Sequence, residues 1–151
     1  DKGKLEFSEL QDVFHRMMTI HAEVPYQLNL AFESLLSAGD GITDVIHITD
    51  YVAFKGSSKH MAYAASKAAL ENLTLSFAQR FAPSIKVNSI APALLAFNDH
   101  DNDEYKTKAR AKSLMQTEGS FQEALDSVLL FMNSNYITGR VMHLDGGRHL
   151  K

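Results

Sequence analysis

Cysteine is absent from the 151 residues, which excludes disulfides, thiolate catalysis and cysteine-based zinc sites. Proline occurs only three times, and no linker, repeat or low-complexity tract interrupts the chain. There is no basic run, and the formal net charge is −3, so neither nucleic acid nor an anionic membrane is expected as a partner. No apolar segment approaches the roughly 18 residues that span a bilayer, and no signal-peptide pattern opens the sequence. A cytoplasmic location is the expectation. Glycine stands at 3, 39, 41, 56, 119, 139, 146 and 147, and none of these positions forms a G-x-x-x-G-x-G or G-x-G-x-x-G turn between a strand and a helix. What remains is 45% hydrophobic and 22% charged, the usage of an ordinary α/β domain able to bury one core.

The most informative residues present are Tyr63-Ala-Ala-Ser-Lys67, with Asp50 thirteen positions before the tyrosine. Residues four apart project from one face of a helix. An ammonium beside a phenol favours the phenolate and is expected to lower the tyrosine pKa from about 10 toward the range of a general acid/base.

Three β-rich runs surround this pair: Thr43 to Asp50, Ile85 to Pro92, and Ile137 to Gly147. Helical patterns fill the intervals. Leu5, Leu10, Val13, Phe14 and Met17 open a region that continues from about Ser8 to Ser37, with Ser8 and Gln11 as a capping arrangement and Pro25 as a bend or a restart. Residues 51–59 read as a loop, His60 to Phe81 as a long helix and Phe121 to Asn133 as another. Alternating strands and helices predict a parallel α/β sheet, in which ligands sit at the carboxyl ends of the strands. Asp50 and Pro92 both fall at such ends. The acidic stretch Asp99 to Glu104 lacks the glycine and terminal glutamate of a calcium loop, so no metal site is expected; it reads as a solvated helix start.

With these residues in place, the chain resembles the short-chain dehydrogenases/reductases. Tyr63, Lys67, the strand Val87-Asn-Ser-Ile-Ala-Pro92, Ile137-Thr-Gly139 and Asp145-Gly-Gly147 carry the resemblance across nearly the whole length. Most of that family has serine where Asp50 stands, and an aspartate there looks like the pteridine reductases. Thr49-Asp50-Tyr51-Val52, Lys59-His60, Phe97-Asn98 and Leu144 to Leu150 look closest to bacterial dihydropterin reductases.

The resemblance implies a Rossmann-like doubly wound parallel sheet and reduction of a 7,8-dihydropterin by NADPH. Hydride would reach C6 and a proton N5. Tyr63 would donate or relay the proton, and Lys67 would hold the nicotinamide ribose. Asp50 would accept bonds from the N–H-rich pterin edge or pass a proton inward. Thr49, Pro92, Ala93, Leu94 and Leu95 would contact the cofactor, although Ala93 stands where glycine is usual. Phe97 and Arg148 would face the substrate, with residues 94–117 as a lid. His21 occupies the place of an asparagine that holds a relay water, and a histidine could carry protons there. The two long helices would form a homotetramer.

The phosphate-binding glycine turn of that family is missing. The 151 residues are therefore expected to be the carboxyl-terminal portion of one reductase domain, inactive alone. Two alternatives stay open: a reductase of another carbonyl or imine, and a non-catalytic assembling fragment.

Overall fold

A computed structural model describes residues 6–151. Leu5, expected to open the first helical pattern, lies outside the described residues. Helix α1 spans Phe7–Met18 and α2 spans Val24–Leu36. The cap at the start of α1 is made two residues earlier than Ser8 and Gln11: Glu9 Oε2 accepts the Glu6 N–H at 2.8 Å. Between the two helices, Thr19–Glu23 winds as a π-turn. Pro25 has no N–H to return to the preceding turn, and the wider turn accommodates that loss without breaking the helix.

Strand β1 is Thr43–Ile48, α3 is Val52–Lys55, α4 is Met61–Phe81 and β2 is Ile85–Pro92. Helices α5 (Asp103–Arg110) and α6 (Phe121–Asn133) precede β3, Val141–Leu144. The strands pair in the order β1-β2-β3, both pairs parallel, with Val45 opposite Val87 and Ala91 opposite His143. The expected α/β class and parallel sheet are therefore observed. The third run is shorter than read from sequence, because Ile137 to Arg140 bridges to the Asn88 side chain instead of pairing as strand. Asn88 Nδ2 donates to Ile137 O at 2.9 Å, and its Oδ1 accepts the Arg140 N–H at 3.0 Å.

Central β2 is buried on both faces. Val87 joins Phe77, Ala78, Phe81 and Ile85 in a core closed by Leu30, Val45 and Leu73. Its neighbour Lys86 turns the other way, donating from Nζ to Phe131 O at 2.6 Å and to Ser134 O at the carboxyl end of α6. Alternation along the strand thus places α4 and α6 on opposite faces, the doubly wound arrangement. Lys86 also meets Asp44 Oδ1 at 3.1 Å, so its buried charge has a partner. No described helix is long and apolar enough to cross a membrane.

Candidate active site

The carboxyl ends of β1 and β2 are tied by Tyr51 N–H to Pro92 O at 3.1 Å, and the candidate residues gather at this end. Asp50 stands two residues past the end of β1. Its Oδ1 accepts the Val52 N–H of α3 at 2.9 Å, and its Oδ2 accepts the Tyr63 hydroxyl at 2.8 Å. Tyr63 lies in the first turn of α4, and Lys67 one turn later. Lys67 Nζ donates to Ile48 O at 2.9 Å and stands 5.8 Å from the Tyr63 ring centre.

This geometry reverses the expected direction of the Tyr63 pKa. Burial, the bond to Asp50 and the Asp50 charge together hold the phenol well above its ordinary value. Lys67, bonded to Ile48 O, does not offset these effects. Its own pKa is lowered by burial, with Asp50 acting in the opposite direction.

The π-turn presents His21 to the same place. Its ring meets Tyr63 edge-on, with centres 5.4 Å apart and planes at 84°, and Nδ1 lies 2.9 Å from Ser66 Oγ. Ser66 is fully buried and donates its own proton to Tyr63 O at 2.8 Å. Nδ1 must therefore be the donor to Ser66, which leaves Nε2 as an acceptor in neutral His21. Burial and the nearby Lys67 lower the His21 pKa, favouring that neutral form. Ser66 was not singled out from sequence, and neither was Glu71, which accepts the Thr49 hydroxyl at 3.1 Å. Position was the only available signal: Tyr63, Lys67 and Glu71 fall at successive i+4 steps.

Thr49 does not join the site. It is buried, and its hydroxyl turns inward to Glu71 and to Ile90 O. Phe97 also stands apart, its ring taken by Tyr105 at 6.3 Å, Lys106 at 5.9 Å and Arg110 at 5.1 Å. Arg110 in turn forks onto Glu118 at 2.5 and 3.0 Å, a staple across the segment expected to be a lid. His47, inside β1, is a core residue: Asn29 Nδ2 and Thr74 Oγ1 flank its ring at 2.9 and 2.8 Å, and burial lowers its pKa to about 4.

Ala93 and Leu94 follow β2 and line a cavity of about 230 Å³ with Met115, Thr117, His143 and Arg148. Asp50, Tyr63 and Lys67 lie outside it. Arg148 is the link, since its guanidinium stacks 4.5 Å from the centre of the Tyr51 ring, next to Asp50. The backbone after β2 is already engaged, with Ala93 N–H on Leu144 O at 3.0 Å and Gly119 N–H on Leu94 O at 2.8 Å. Lys67 can donate three hydrogen bonds and spends one on Ile48 O, so two remain for a vicinal diol such as a ribose. That donor set suits a nicotinamide ribose.

A family model described as enoyl-(acyl carrier protein) reductase matches residues 3–149. The dihydromonapterin reductase of Escherichia coli strain 536 is 54% identical over 143 residues, covering 94% of this chain and 60% of the relative. Two crystal structures of FolM alternative dihydrofolate reductase 1 complexed with NADP, from Brucella suis and Brucella canis, each align with a TM-score of 0.86 at 29% identity. They cover 99% and 100% of this chain, and 59% and 58% of their own. The chain thus spans about 60% of the length of the curated relatives it matches.

Proposed function

We propose that this chain, which belongs to the short-chain dehydrogenase/reductase family, carries the catalytic residues of an NADPH-dependent dihydropterin reductase acting on 7,8-dihydromonapterin. The observation that carries this reading is the 2.8 Å bond from Tyr63 to Asp50 beside Lys67. A neutral group at position 50 would suit a carbonyl. A carboxylate suits the N–H-rich edge of a pterin. The similarity to a dihydromonapterin reductase and to two NADP-complexed structures supports the same choice.

NADPH bound here supplies the hydride that reduces C6 of the dihydropterin. Lys67 would hold the ribose with its two remaining donors, and the backbone of Pro92, Ala93, Leu94 and Leu95 would hold the nicotinamide. Asp50 anchors the pterin through its N–H groups. Each N–H that Asp50 accepts from substrate weakens its hold on the Tyr63 hydroxyl, so substrate binding frees that proton for N5. Tyr63 is thereby the acid, and its proton is replaced through Asp50, Lys67 and His21. Arg148, stacked on Tyr51, offers its planar edge to an acceptor on the substrate. Phe97 enters the substrate site only when the segment containing α5 moves.

The 151 residues form the carboxyl-terminal part of one reductase domain, and the phosphate-binding turn belongs to the rest of the protein. The protein is cytoplasmic, and it assembles as a homotetramer. Exposed Leu10, Phe14, Ile20, Leu28 and Phe32 on the first long helical region support that assembly. The test is transfer of label from 4-deuterated NADPH to 7,8-dihydromonapterin by the full-length protein. Deuterium at C6 of the tetrahydro product is expected; oxidation without C6 label would reject the reading.

A further inference from the structure

Just past β3, Asp145 has a side chain only 4% exposed. Its oxygens are filled from its own segment. Oδ1 accepts the Gly147 N–H at 3.0 Å, while Oδ2 accepts the His149 N–H at 3.0 Å and His149 Nδ1 at 2.6 Å. These bonds more than offset the cost of burying the carboxyl, whose pKa lies below its ordinary value. They wind residues 145–150 into a tight turn with Gly146 and Gly147 at φ 58° and 74°, values glycine reaches without strain.

The turn is wedged between two parts of the site. On one flank, Leu114 and Met115 N–H groups donate to Gly146 O at 2.9 and 3.1 Å. On the other flank lies α3. Arg148 covers Tyr51, Phe54 meets the rings of His143 and His149 at 5.9 and 6.4 Å, and Lys55 Nζ donates to Lys151 O at 2.8 Å. Helix α3 has four residues, none of them buried; it rests on α4 and is tied at its start by Tyr51 N–H to Pro92 O, while its outer side is covered by the turn after Asp145. Yet it is the Val52 N–H of α3 that fixes Asp50 Oδ1.

We propose that Asp145 is a positioning residue for Asp50. The orientation passes from Asp145 to His149 and Arg148, from these to α3, and from the Val52 N–H to the catalytic carboxylate. The consequence for turnover rests on the dihydropterin-reductase reading; the positional claim does not.

Two measurements on the full-length protein test this in Asp145→Asn. The first follows Tyr63 by 13C-tyrosine NMR, its resonance assigned with Tyr63→Phe. Wild-type Tyr63 is expected to titrate well above an ordinary tyrosine, and in the variant at lower pH than in the wild type, because a mobile Asp50 releases it. The second compares kcat: about a tenfold loss is expected from misplacing the carboxylate, with KM for NADPH unchanged within about twofold. In an Asp50→Asn background the same substitution is expected to cost less than about twofold, the non-additivity of residues acting through one another. An unmoved Tyr63 titration, or an equal loss in both backgrounds, overturns the proposal. Should Asp145→Asn fail to fold, His149→Gln removes the 2.6 Å contact and the ring contact with Phe54, both links of the same path, and is judged by the same two readouts. Absence of pterin turnover in the wild type would reject the proposed function, while the Tyr63 titration would still decide the role of Asp145.

Discussion

Tyr63 and Asp50, thirteen residues apart, share one proton at 2.8 Å, and burial together with this carboxylate, not Lys67, sets the phenol's pKa. Removing the charge while keeping the shape separates the two influences. In Asp50→Asn the burial of Tyr63 persists but its anionic acceptor is gone, so its titration moves to lower pH than in the wild type. Turnover of dihydropterin is expected to fall by about 10²- to 10⁴-fold, the usual range for a positioned acid/base group. Ultraviolet difference titration with single-turnover kinetics checks both. An unchanged tyrosine titration would mean that burial alone sets the pKa.

His21 combines an edge-on ring contact with a bond to Ser66. His21→Phe keeps the first and loses the second, along with any capacity to carry a proton. The loss expected in kcat is about tenfold, and the acid limb of the pH profile should lose the His21 contribution. His21→Asn, which restores a hydrogen-bonding side chain, is expected to recover part of the rate. A full rate in His21→Phe would assign the histidine to packing alone.

His47 makes stability depend on pH. Burial lowers its pKa from 6.5 in the free side chain to about 4, so between these values the unfolded chain binds the proton and the folded one does not. Stability is therefore fully present above about pH 6.5 and is lost as pH falls toward 4, by about 3 kcal/mol in total. Urea unfolding of wild type and His47→Gln across that interval should give a smaller pH slope for the variant. Equal slopes would place the acid sensitivity elsewhere.

Lys86 joins Asp44 to the last carbonyls of α6. Lys86→Met leaves Asp44 as an unpaired buried carboxylate and the helix end without its cation, which is expected to cost about 3–5 kcal/mol. Adding Asp44→Asn should recover much of that, since the uncompensated charge is then gone. Thermal unfolding of the single and double variants measures the difference. A double variant no more stable than Lys86→Met would show that the cation acts on the helix end alone.

Much of this was legible in the sequence because the decisive relations are short in register. The i,i+4 spacing of Tyr63 and Lys67 follows from helix geometry, and the β-rich runs fix Asp50 and Pro92 at strand ends. Less legible were features set by contacts between distant segments. Thr49 adjoins Asp50 in sequence and both side chains meet α4, but Thr49 reaches the deeper Glu71 while Asp50 reaches Tyr63, a division set by tertiary packing. Helix α3 lay unseen within residues 51–59, because four residues carry no periodicity and its position comes from tertiary contacts with α4, Pro92, Arg148 and His149. The pKa of Tyr63 could not be read from Lys67 alone, since proximity of the carboxylate was a tertiary fact.

The most direct measurement is NADPH oxidation by the full-length protein with 7,8-dihydromonapterin, set beside a simple ketone and repeated in Asp50→Ser. The account expects pterin-dependent turnover that falls by about 100-fold or more in Asp50→Ser, consistent with loss of a charged hydrogen-bonding anchor that also serves proton transfer. Pterin turnover retained in full by Asp50→Ser, or a wild type that prefers the ketone, would contradict it.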